Sequence, residues 1–519
     1  MSRRALVWAI ATLAVVAVAT LAAFAAWTCD DALISFRYVR NWIGGDGLTF
    51  NPGERVEGFS NFTFLLLLAP AEAVGSNLFD VANVIGIVAT AAEAALLVWL
   101  LARRDAPLVA IAFAAALFAT DRITIVWATG GLETAVHGAL VMAVLALQLE
   151  RPHAIRTLAA LHVALAASRP EGIMFDAIWF AHMLATRRIT ELRRALNWFV
   201  PLLAILVGAR LLYYGEVVAN PYRAKVSGVP TLDYGPGYAL MFARRIGVWG
   251  ITALASVPLL VLGLRKRPDA SLVLVAAFIT AQVAMAIATG GDYMTDFRLL
   301  APIVGVFYVF VGLVAARAWP SRTLAIAAMI AFAAGHAYRQ LDPVPVFRTA
   351  NPPAEHKRIL TIAREQPAAF ARALAVFAEP GDSVLADWAG YMSYGHSLRT
   401  IDATGLVSKH LSRDFYLRAP EERLPGHARW PTIEFMQREQ LTFIFPKVNT
   451  RPPEDPEIDE HAAARRREYP FLHVTVPLAD GRFLRFFTTL DAPHVLARAE
   501  AKHIRVCFRP ALGALTCSR

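Results

Sequence analysis

The chain has 519 residues, of which 56% are hydrophobic and only 18% are charged, and its mean hydropathy is +0.45. This composition excludes an ordinary soluble protein, because the charges are too few to solvate so much apolar surface, and it predicts an α-helical polytopic membrane protein. The formal net charge of +10 does not indicate a nucleic-acid partner, since arginines stand in short clusters between apolar runs, such as Arg103-Arg104 and Arg193-Arg194.

Apolar runs long enough to meet a bilayer recur through the first 341 residues. The run at 5–27 follows two arginines and is longer than a signal-peptide core, so we interpret it as a retained anchor, although Ala23-Phe24-Ala25 is typical of a cleavage site. Residues 62–78 are interrupted by Pro70 and are predicted to be re-entrant or interfacial. In total we predict roughly eleven transmembrane helices. After the first they lie near 81–102, 107–120, 134–149, 155–168, 173–186, 195–214, 246–263, 270–289, 299–316 and 322–340.

The arginine and lysine clusters predict which side of the membrane each loop faces. With the clusters in the cytoplasm, the loop 29–61 and everything after about residue 342 lie on the outer side. The sequence therefore predicts a transmembrane domain over 1–341, which includes the outer loop 29–61, and a C-terminal periplasmic α/β domain over 342–519. We interpret none of the spans as carrying a charge that would serve as an ion relay at the bilayer centre, which weakens a transporter hypothesis.

The tail has the mixed pattern of an α/β domain. An amphipathic helix is predicted over 354–377, and a hairpin is predicted around Ala479-Asp480-Gly481. Further strands are predicted at 383–387, 400–402 and 441–445. Cys507 and Cys517 would lie together on the oxidising side of the membrane, and they would either form a disulfide or remain as two free thiols.

The first outer loop begins with two adjacent carboxylates, Asp30 and Asp31. On a helix, Asp31 shares a face with Ser35 and Tyr38, so the first turn would present carboxylates at the positive end of the helix dipole. A helix cap explains one such aspartate, but two at a membrane edge exceed that need. We therefore expect a catalytic role in this pair, and Asp30 is favoured because it is nearer the membrane end.

Other polar residues on the predicted outer face are candidate substrate ligands. Glu57 and Asn61 lie in or beside a glycine-rich loop, which is either an ordinary surface loop or one that hydrogen-bonds sugar hydroxyls. Arginines at helix ends are explained singly as headgroup anchors, but together they suggest a pocket for a phosphate-bearing lipid. The predicted substrate-binding residues are Arg37, Tyr38, Glu57, Asn61, Glu133, Arg169, Glu171, Tyr222, Arg223, Lys225, Asp292 and Arg298.

Six segments carry a resemblance to a known family. They are Asp30-Asp31-Ala32-Leu33-Ile34-Ser35-Phe36-Arg37-Tyr38, Asn51-Pro52-Gly53-Glu54-Arg55-Val56-Glu57-Gly58, Gly131-Leu132-Glu133-Thr134, Arg169-Pro170-Glu171-Gly172, Gly290-Gly291-Asp292-Tyr293-Met294, and 387–406. Together they resemble the GT-C arabinofuranosyltransferases, a group that includes the terminal arabinofuranosyltransferase of the mycobacterial cell wall and pilin arabinosyltransferases.

The resemblance implies a GT-C fold and a glycosyltransferase of the bacterial inner membrane whose active site faces the periplasm. Such an enzyme moves a sugar, here expected to be D-arabinofuranose, from a polyprenyl-phosphate carrier to a hydroxyl of a cell-envelope glycan or pilin, with inversion. An aspartate of the first outer loop is the general base in this group, which corresponds to Asp30 or Asp31. No sugar nucleotide is expected, and a divalent metal ion held by the carboxylates stays open.

Three alternatives remain at this point. The first is a GT-C transferase of another polyprenyl-phosphate-linked sugar, such as mannose. The second is a lipid-linked sugar transporter, which would show charges near the bilayer midplane and repeat symmetry. The third is a membrane scaffold in which Asp30 and Asp31 are only a helix cap.

Overall fold

A computed structural model of the protein describes residues 1–226, 229–246, 270–341, 353–408, 414–419, 423, 427–453, 470–510 and 514–518. The span predicted near 246–263 lies almost wholly outside these residues. The helices are, in chain order, α1 (Arg3–Phe24), α2 (Asp30–Ile43), α3 (Phe62–Ala73), α4 (Leu78–Arg103), α5 (Leu108–Thr120), α6 (Arg122–Trp127), α7 (Thr134–Glu150), α8 (Ile155–Ser168), α9 (Gly172–Ala185), α10 (Ile189–Tyr214), α11 (Asn220–Lys225), α12 (Gly235–Ile246), α13 (Ala270–Ala288), α14 (Val304–Ala318), α15 (Arg322–Leu341), α16 (Pro353–Leu360), α17 (Gln366–Ala375), α18 (Ala389–Tyr394), α19 (Ile433–Arg438) and α20 (Ala492–Ala501).

Contacts along the chain define two compact units. The helical unit comprises Met1–Cys29, Ser60–Val217 and Gly228–Thr361, and the mixed unit comprises Asp30–Phe59, Val218–Ser227 and Ile362–Arg519. The outer loop, which the sequence grouped with the membrane helices, thus makes its contacts within the mixed unit. As domains, 1–341 and 342–519 stay predictions.

The helical unit contains long apolar helices. Each predicted span that the structure describes coincides with a helix. Within the described residues, five helical segments are long and apolar enough to cross a membrane: Arg3–Phe24, Leu78–Arg103, Ile189–Tyr214, Ser271–Ala288 and Ala301–Ala318. The count of roughly eleven spans is not confirmed, because the other apolar helices have 10–17 residues, and a helix rises only about 1.5 Å per residue against a hydrocarbon core of about 30 Å.

Two buried acids correct the interpretation that the predicted spans lack a central charge. Glu93 lies in the middle of α4 and is only 5% exposed. It packs against Gly138 of α7, where an added Cβ atom would come within 2.7 Å of a carboxylate oxygen and would force the Glu93 side chain to shift. In α9, Asp176 is also buried, and its Oδ1 lies 2.7 Å from His162 Nδ1. The argument against a transporter that rested on uncharged spans is therefore wrong.

The mixed unit is built on a seven-stranded sheet with strand order β2-β1-β5-β7-β6-β8-β9. Strand β1 runs parallel to β2 and β5, and the remaining pairs in this sheet are antiparallel. The strands are β1 (Ser383–Ala386), β2 (Arg399–Asp402), β3 (Phe415–Leu417), β4 (Arg429–Pro431), β5 (Phe443–Asn449), β6 (Leu472–Pro477), β7 (Phe483–Thr488), β8 (Cys507–Arg509) and β9 (Thr516–Cys517). Strands β3 and β4 form a separate antiparallel pair.

Most of the predicted elements of the tail are confirmed. Strands β1, β2 and β5 and the β6–β7 hairpin fall where the sequence predicted them. The helix predicted over 354–377 was wrong as a single element: α16 and α17 are separate helices. Pro367 explains the interruption, since a proline has no N–H to donate, disfavours helix at the residue before it, and suits the first turn of α17.

Candidate active site

Asp30 lies at the start of α2 and binds the backbone of the short helix α18. Its carboxylate accepts hydrogen bonds from the N–H of Gly390, at 3.2 Å, and of Tyr391, at 2.6 Å. Gly390 is required there, because a Cβ atom on it would lie 1.9 Å from the carbonyl oxygen of Asp30. Helix α18 connects the parallel strands β1 and β2, so Asp30 lies at their carboxyl ends, where open α/β sheets commonly bind ligands.

Burial and like charge both act on Asp30. The side chain is 8% exposed. Burial, followed by the negative charge of Asp31, raises the pKa of Asp30 to about 7, while the two backbone N–H groups oppose the rise and Asp402 adds to it. Asp30 therefore takes up a proton far more readily than an ordinary aspartate.

Asp402 brings a third carboxylate to the same end of the sheet. It ends β2, and its Oδ2 accepts from Thr404 Oγ1 and from the N–H of Leu406, both at 2.7 Å. Burial raises the pKa of Asp402, its hydrogen bonds lower it, and the charge of Asp31 raises it further. Asp31 thus lies close enough to act on both neighbours, and it is only half-buried.

Arg37 and Tyr38, both predicted to bind substrate, are buried and bonded to the protein. Arg37 donates from Nε to the carbonyl of Phe50 at 2.7 Å and from Nη1 to the carbonyl of Ser393 at 2.5 Å. Tyr38 donates to the carbonyl of Val56 at 2.6 Å. These bonds hold the outer loop and α18 in place around the carboxylates. Both side chains therefore have the contacts of positioning residues.

The segment at 218–227 is anchored by Asn220, a residue that the sequence analysis did not select. Its side-chain amide donates to the carbonyl groups of Gly405, Leu406 and Ser408 at 2.8–2.9 Å, and its N–H donates to the carbonyl of Glu57. The buried Glu57 is thereby placed beside the turn that follows Asp402. Of the predicted ligands in α11, Tyr222 and Arg223 are exposed and Lys225 is half-buried.

In the helical unit, four predicted ligands meet in one buried cluster. Arg169 donates from Nη1 to Glu133 Oε1 and from Nε to Glu171 Oε1, both at 2.5 Å. Asn61 donates to the other oxygen of Glu133 at 2.9 Å. All three charged side chains are 8% exposed, so the ion pairs are shielded from water.

A second ion pair belongs to the same neighbourhood. Arg298 donates from Nε to Asp292 Oδ2 at 2.5 Å. Its positive charge acts on Arg169, so the two guanidinium groups lie near one another. The sequence prediction that these loops converge is thus met for Arg169 and Arg298, whereas Arg223 and Lys225 belong to the mixed unit.

Asp402 and Asn220 were missed for an identifiable reason. The Asp402–Thr404 spacing is typical of a turn closed by the aspartate side chain, and the sequence pattern predicts no more than that turn. Their closeness to residues 30–57 comes from chain folding across hundreds of residues. Among the described residues, no group of three or more His, Cys, Asp or Glu side chains is placed to hold a metal ion.

Comparisons with known proteins agree with part of this interpretation. Residues 358–474 match a family model described as a domain of unknown function (DUF8728). The chain is similar to the terminal β-(1→2)-arabinofuranosyltransferase of Mycobacterium tuberculosis (strain ATCC 25618 / H37Rv), with 30% identity over 326 residues, which are 53% of this chain and 51% of the relative. The chain thus spans about half the length of that relative. With 30% identity over about half of each chain, the match supports a glycosyltransferase but does not identify a particular enzyme.

Proposed function

We propose that the protein is an inverting GT-C glycosyltransferase. It moves a sugar, D-arabinofuranose by similarity to the arabinofuranosyltransferase relative, from a polyprenyl-phosphate donor to a hydroxyl of a cell-envelope glycan or pilin. The observation that carries the proposal is the cluster of Asp30, Asp31 and Asp402 at the carboxyl ends of β1 and β2. Within the described residues, Asp30 and Asp402 accept only from N–H and O–H groups and pair with no arginine or lysine.

Asp31 is the proposed general base. Asp30 is 8% exposed and its two oxygens accept backbone N–H groups, so we assign it to holding α18. Asp31 is half-buried and therefore exposes part of its side chain, so the proposal moves from Asp30, which the sequence favoured, to Asp31. The acceptor hydroxyl oxygen attacks the anomeric carbon of the donor and its proton passes to the Asp31 carboxylate. The bond between the anomeric carbon and the phosphate oxygen breaks, and the lipid phosphate leaves with the electron pair.

Arg169 and Arg298 are proposed to bind the donor phosphate within the helical unit. Arginine is suited to phosphate because its guanidinium presents parallel N–H donors. Arg169→Ala and Arg298→Ala are expected to weaken donor binding more than acceptor binding. Equal changes in the two dissociation constants would remove the phosphate role.

A periplasmic position is proposed for the mixed unit. Cys507 and Cys517, paired across β8 and β9, form a disulfide, and disulfides persist on the oxidising side of the inner membrane. Alkylation of intact cells with a membrane-impermeant maleimide, before and after reduction, tests this. We expect the maleimide to label Cys507 and Cys517 in intact cells only after reduction. If they are labelled only after the inner membrane is opened, the mixed unit lies on the cytoplasmic side.

The decisive experiment is transfer of radiolabelled sugar from synthetic polyprenyl-phosphate-arabinofuranose by the purified full chain. Wild type is compared with Asp30→Asn and Asp31→Asn, with and without EDTA. Loss of transfer in Asp31→Asn supports the reaction and its base, and the EDTA lane decides the metal requirement. Transfer from a mannose-linked carrier instead would keep the reaction class and change the sugar.

One observation favours a second candidate, a lipid-linked sugar transporter. Glu93 is a buried carboxylate in the middle of a long apolar helix, where acids commonly belong to ion or proton pathways. Under this hypothesis, Glu93→Gln abolishes movement of labelled lipid-linked sugar across proteoliposomes. Under the transferase proposal the protein moves no lipid across the bilayer, and Glu93→Gln leaves sugar transfer intact.

A further inference from the structure

A cavity of about 270 Å³ lies within the mixed unit, between residues 53–56 of the outer loop and strand β2. Its wall includes Ile401, the residue that precedes Asp402 in strand β2. Its volume is close to the lower end of the range for small-molecule sites, roughly 300–1,000 Å³. A ligand there would be about one or two sugar rings in size.

The charged groups that line the cavity balance one another. Two acids, Glu54 and Glu439, face two arginines, Arg55 and Arg399. Arg399 donates from Nε to Glu54 Oε1 at 2.5 Å and from Nη1 to Glu439 Oε2 at 2.8 Å. Because two acids and two arginines balance in formal charge, the cavity has no excess charge with which to select an anion or a cation.

The polar groups are also held in place before any ligand arrives. Asn51 donates to the second oxygen of Glu54 at 3.0 Å, and the same amide donates to the carbonyl of Thr400. The carboxylates of Glu54 and Glu439 are 35% and 21% exposed, so each retains a surface that faces solvent. Prearranged groups lose less conformational freedom on binding, so more of the interaction energy with a ligand remains as affinity.

Aromatic rings complete the wall. Phe415 and Phe435 line the cavity, with their ring centres 5.4 Å apart and their planes tilted by 50°. A sugar ring has apolar C–H faces and polar hydroxyl edges, and this wall offers both apolar rings and charged hydrogen-bonding groups. A purely apolar ligand would leave the carboxylates and guanidinium groups desolvated, which is unfavourable.

We infer that this cavity is a binding subsite for a neutral sugar residue of the acceptor. The inference deepens the proposed transferase function and rests on it. An acceptor chain held here would extend from the wall of β2 past Ile401 toward the carboxylate cluster that begins at Asp402. The cavity would then select the acceptor, while the cluster carries out the chemistry.

The test measures binding of a neutral arabinofuranose oligosaccharide to the full chain in nanodiscs by titration calorimetry. Glu439→Gln, which keeps the shape of the side chain, is expected to raise the dissociation constant about tenfold, the effect of one hydrogen bond to a charged group. Phe415→Leu, which keeps much of the buried volume, is expected to weaken binding as well. Asp480→Asn is the matched control: it removes a carboxylate that also pairs with an arginine, in the exposed β6–β7 turn, and should leave binding unchanged.

Each result separates the cavity from the reaction. Equal dissociation constants in wild type, Glu439→Gln and Phe415→Leu would overturn the inference, as would displacement of the oligosaccharide by inorganic phosphate or no binding of either an arabinofuranose or a mannose oligosaccharide. Glu439-dependent binding without transfer by the wild type would support the subsite and reject the proposed reaction. If the protein transfers sugar and Glu439→Gln leaves the KM for the acceptor unchanged, the reaction is supported and the subsite is rejected.

Discussion

Two buried carboxylates of the helical unit and two of the mixed unit are held in opposite ways. Glu133 and Asp292 of the helical unit are paired with Arg169 and Arg298 at 2.5 Å. Asp30 and Asp402 of the mixed unit are held by backbone N–H and hydroxyl groups beside the like charge of Asp31. A cation keeps a carboxylate ionised, whereas burial beside another carboxylate favours proton uptake. The contrast separates residues suited to hold charge from residues suited to accept a proton.

The largest effect is expected from Asp31→Asn. If Asp31 removes the acceptor proton, the variant should lose sugar transfer by about 10²–10⁴-fold, the usual contribution of a general base. Transfer of radiolabelled sugar by purified protein measures this. The exposed Asp480→Asn variant serves as the control for loss of one carboxylate. Full activity in Asp31→Asn would end the assignment of this cluster as the catalytic one.

Arg169→Ala tests the paired cluster of the helical unit. The change leaves Glu133 and Glu171 buried without their cation, so we expect a loss of about 3–5 kcal/mol in the free energy of unfolding. Thermal unfolding in detergent reports the direction of the change. In the triple variant Glu133→Gln/Arg169→Gln/Glu171→Gln, which removes both lone charges, much of the stability should return. If stability returns but donor affinity does not, the arginine binds the phosphate; return of both makes it a structural residue.

Asp402→Asn should have an intermediate effect. The amide keeps one oxygen acceptor but replaces the other with a donor, which faces Leu406 N–H and the Thr404 hydroxyl. We expect a loss of about 1–3 kcal/mol in stability and a roughly tenfold fall in kcat through misplacement of the cluster. Sugar transfer and thermal unfolding of the purified variant measure the two effects. A fall in stability with an unchanged kcat would show that Asp402 is only a turn residue.

The smallest and most specific effect concerns the pH dependence of stability. The pKa of Asp30 is 3.8 in its ordinary state and about 7 in the fold. The folded protein therefore favours the protonated carboxyl. The resulting contribution to the free energy of unfolding is fully present below about pH 4 and is lost as the pH rises through about 7. The thermal stability of the wild type should therefore fall over this pH range relative to that of Asp30→Asn, whose side chain does not titrate. Parallel pH curves for the two proteins would contradict a raised pKa.

Part of the active-site region could be predicted from residue order alone. Asp30 and Asp31 stand out because two acids follow an apolar run, and strands β1 and β2 follow from their apolar pattern. The third carboxylate could not be selected in this way, since Asp402 looks like an ordinary turn residue. The contacts of Arg37 could not be predicted either: the sequence marks it as a candidate substrate ligand, and the structure shows that it donates to the carbonyl groups of Phe50 and Ser393.

The sequence by itself determined the apolar helices, the order of the tail strands and the acidic start of α2, because these depend on neighbouring residues and their periodicity. Only the tertiary structure decided that 30–59 and 218–227 make their contacts with the tail. It also decided which acids are paired with arginine and which with one another. These outcomes depend on burial and on side chains brought together from distant parts of the chain, and those two factors set the pKa of Asp30.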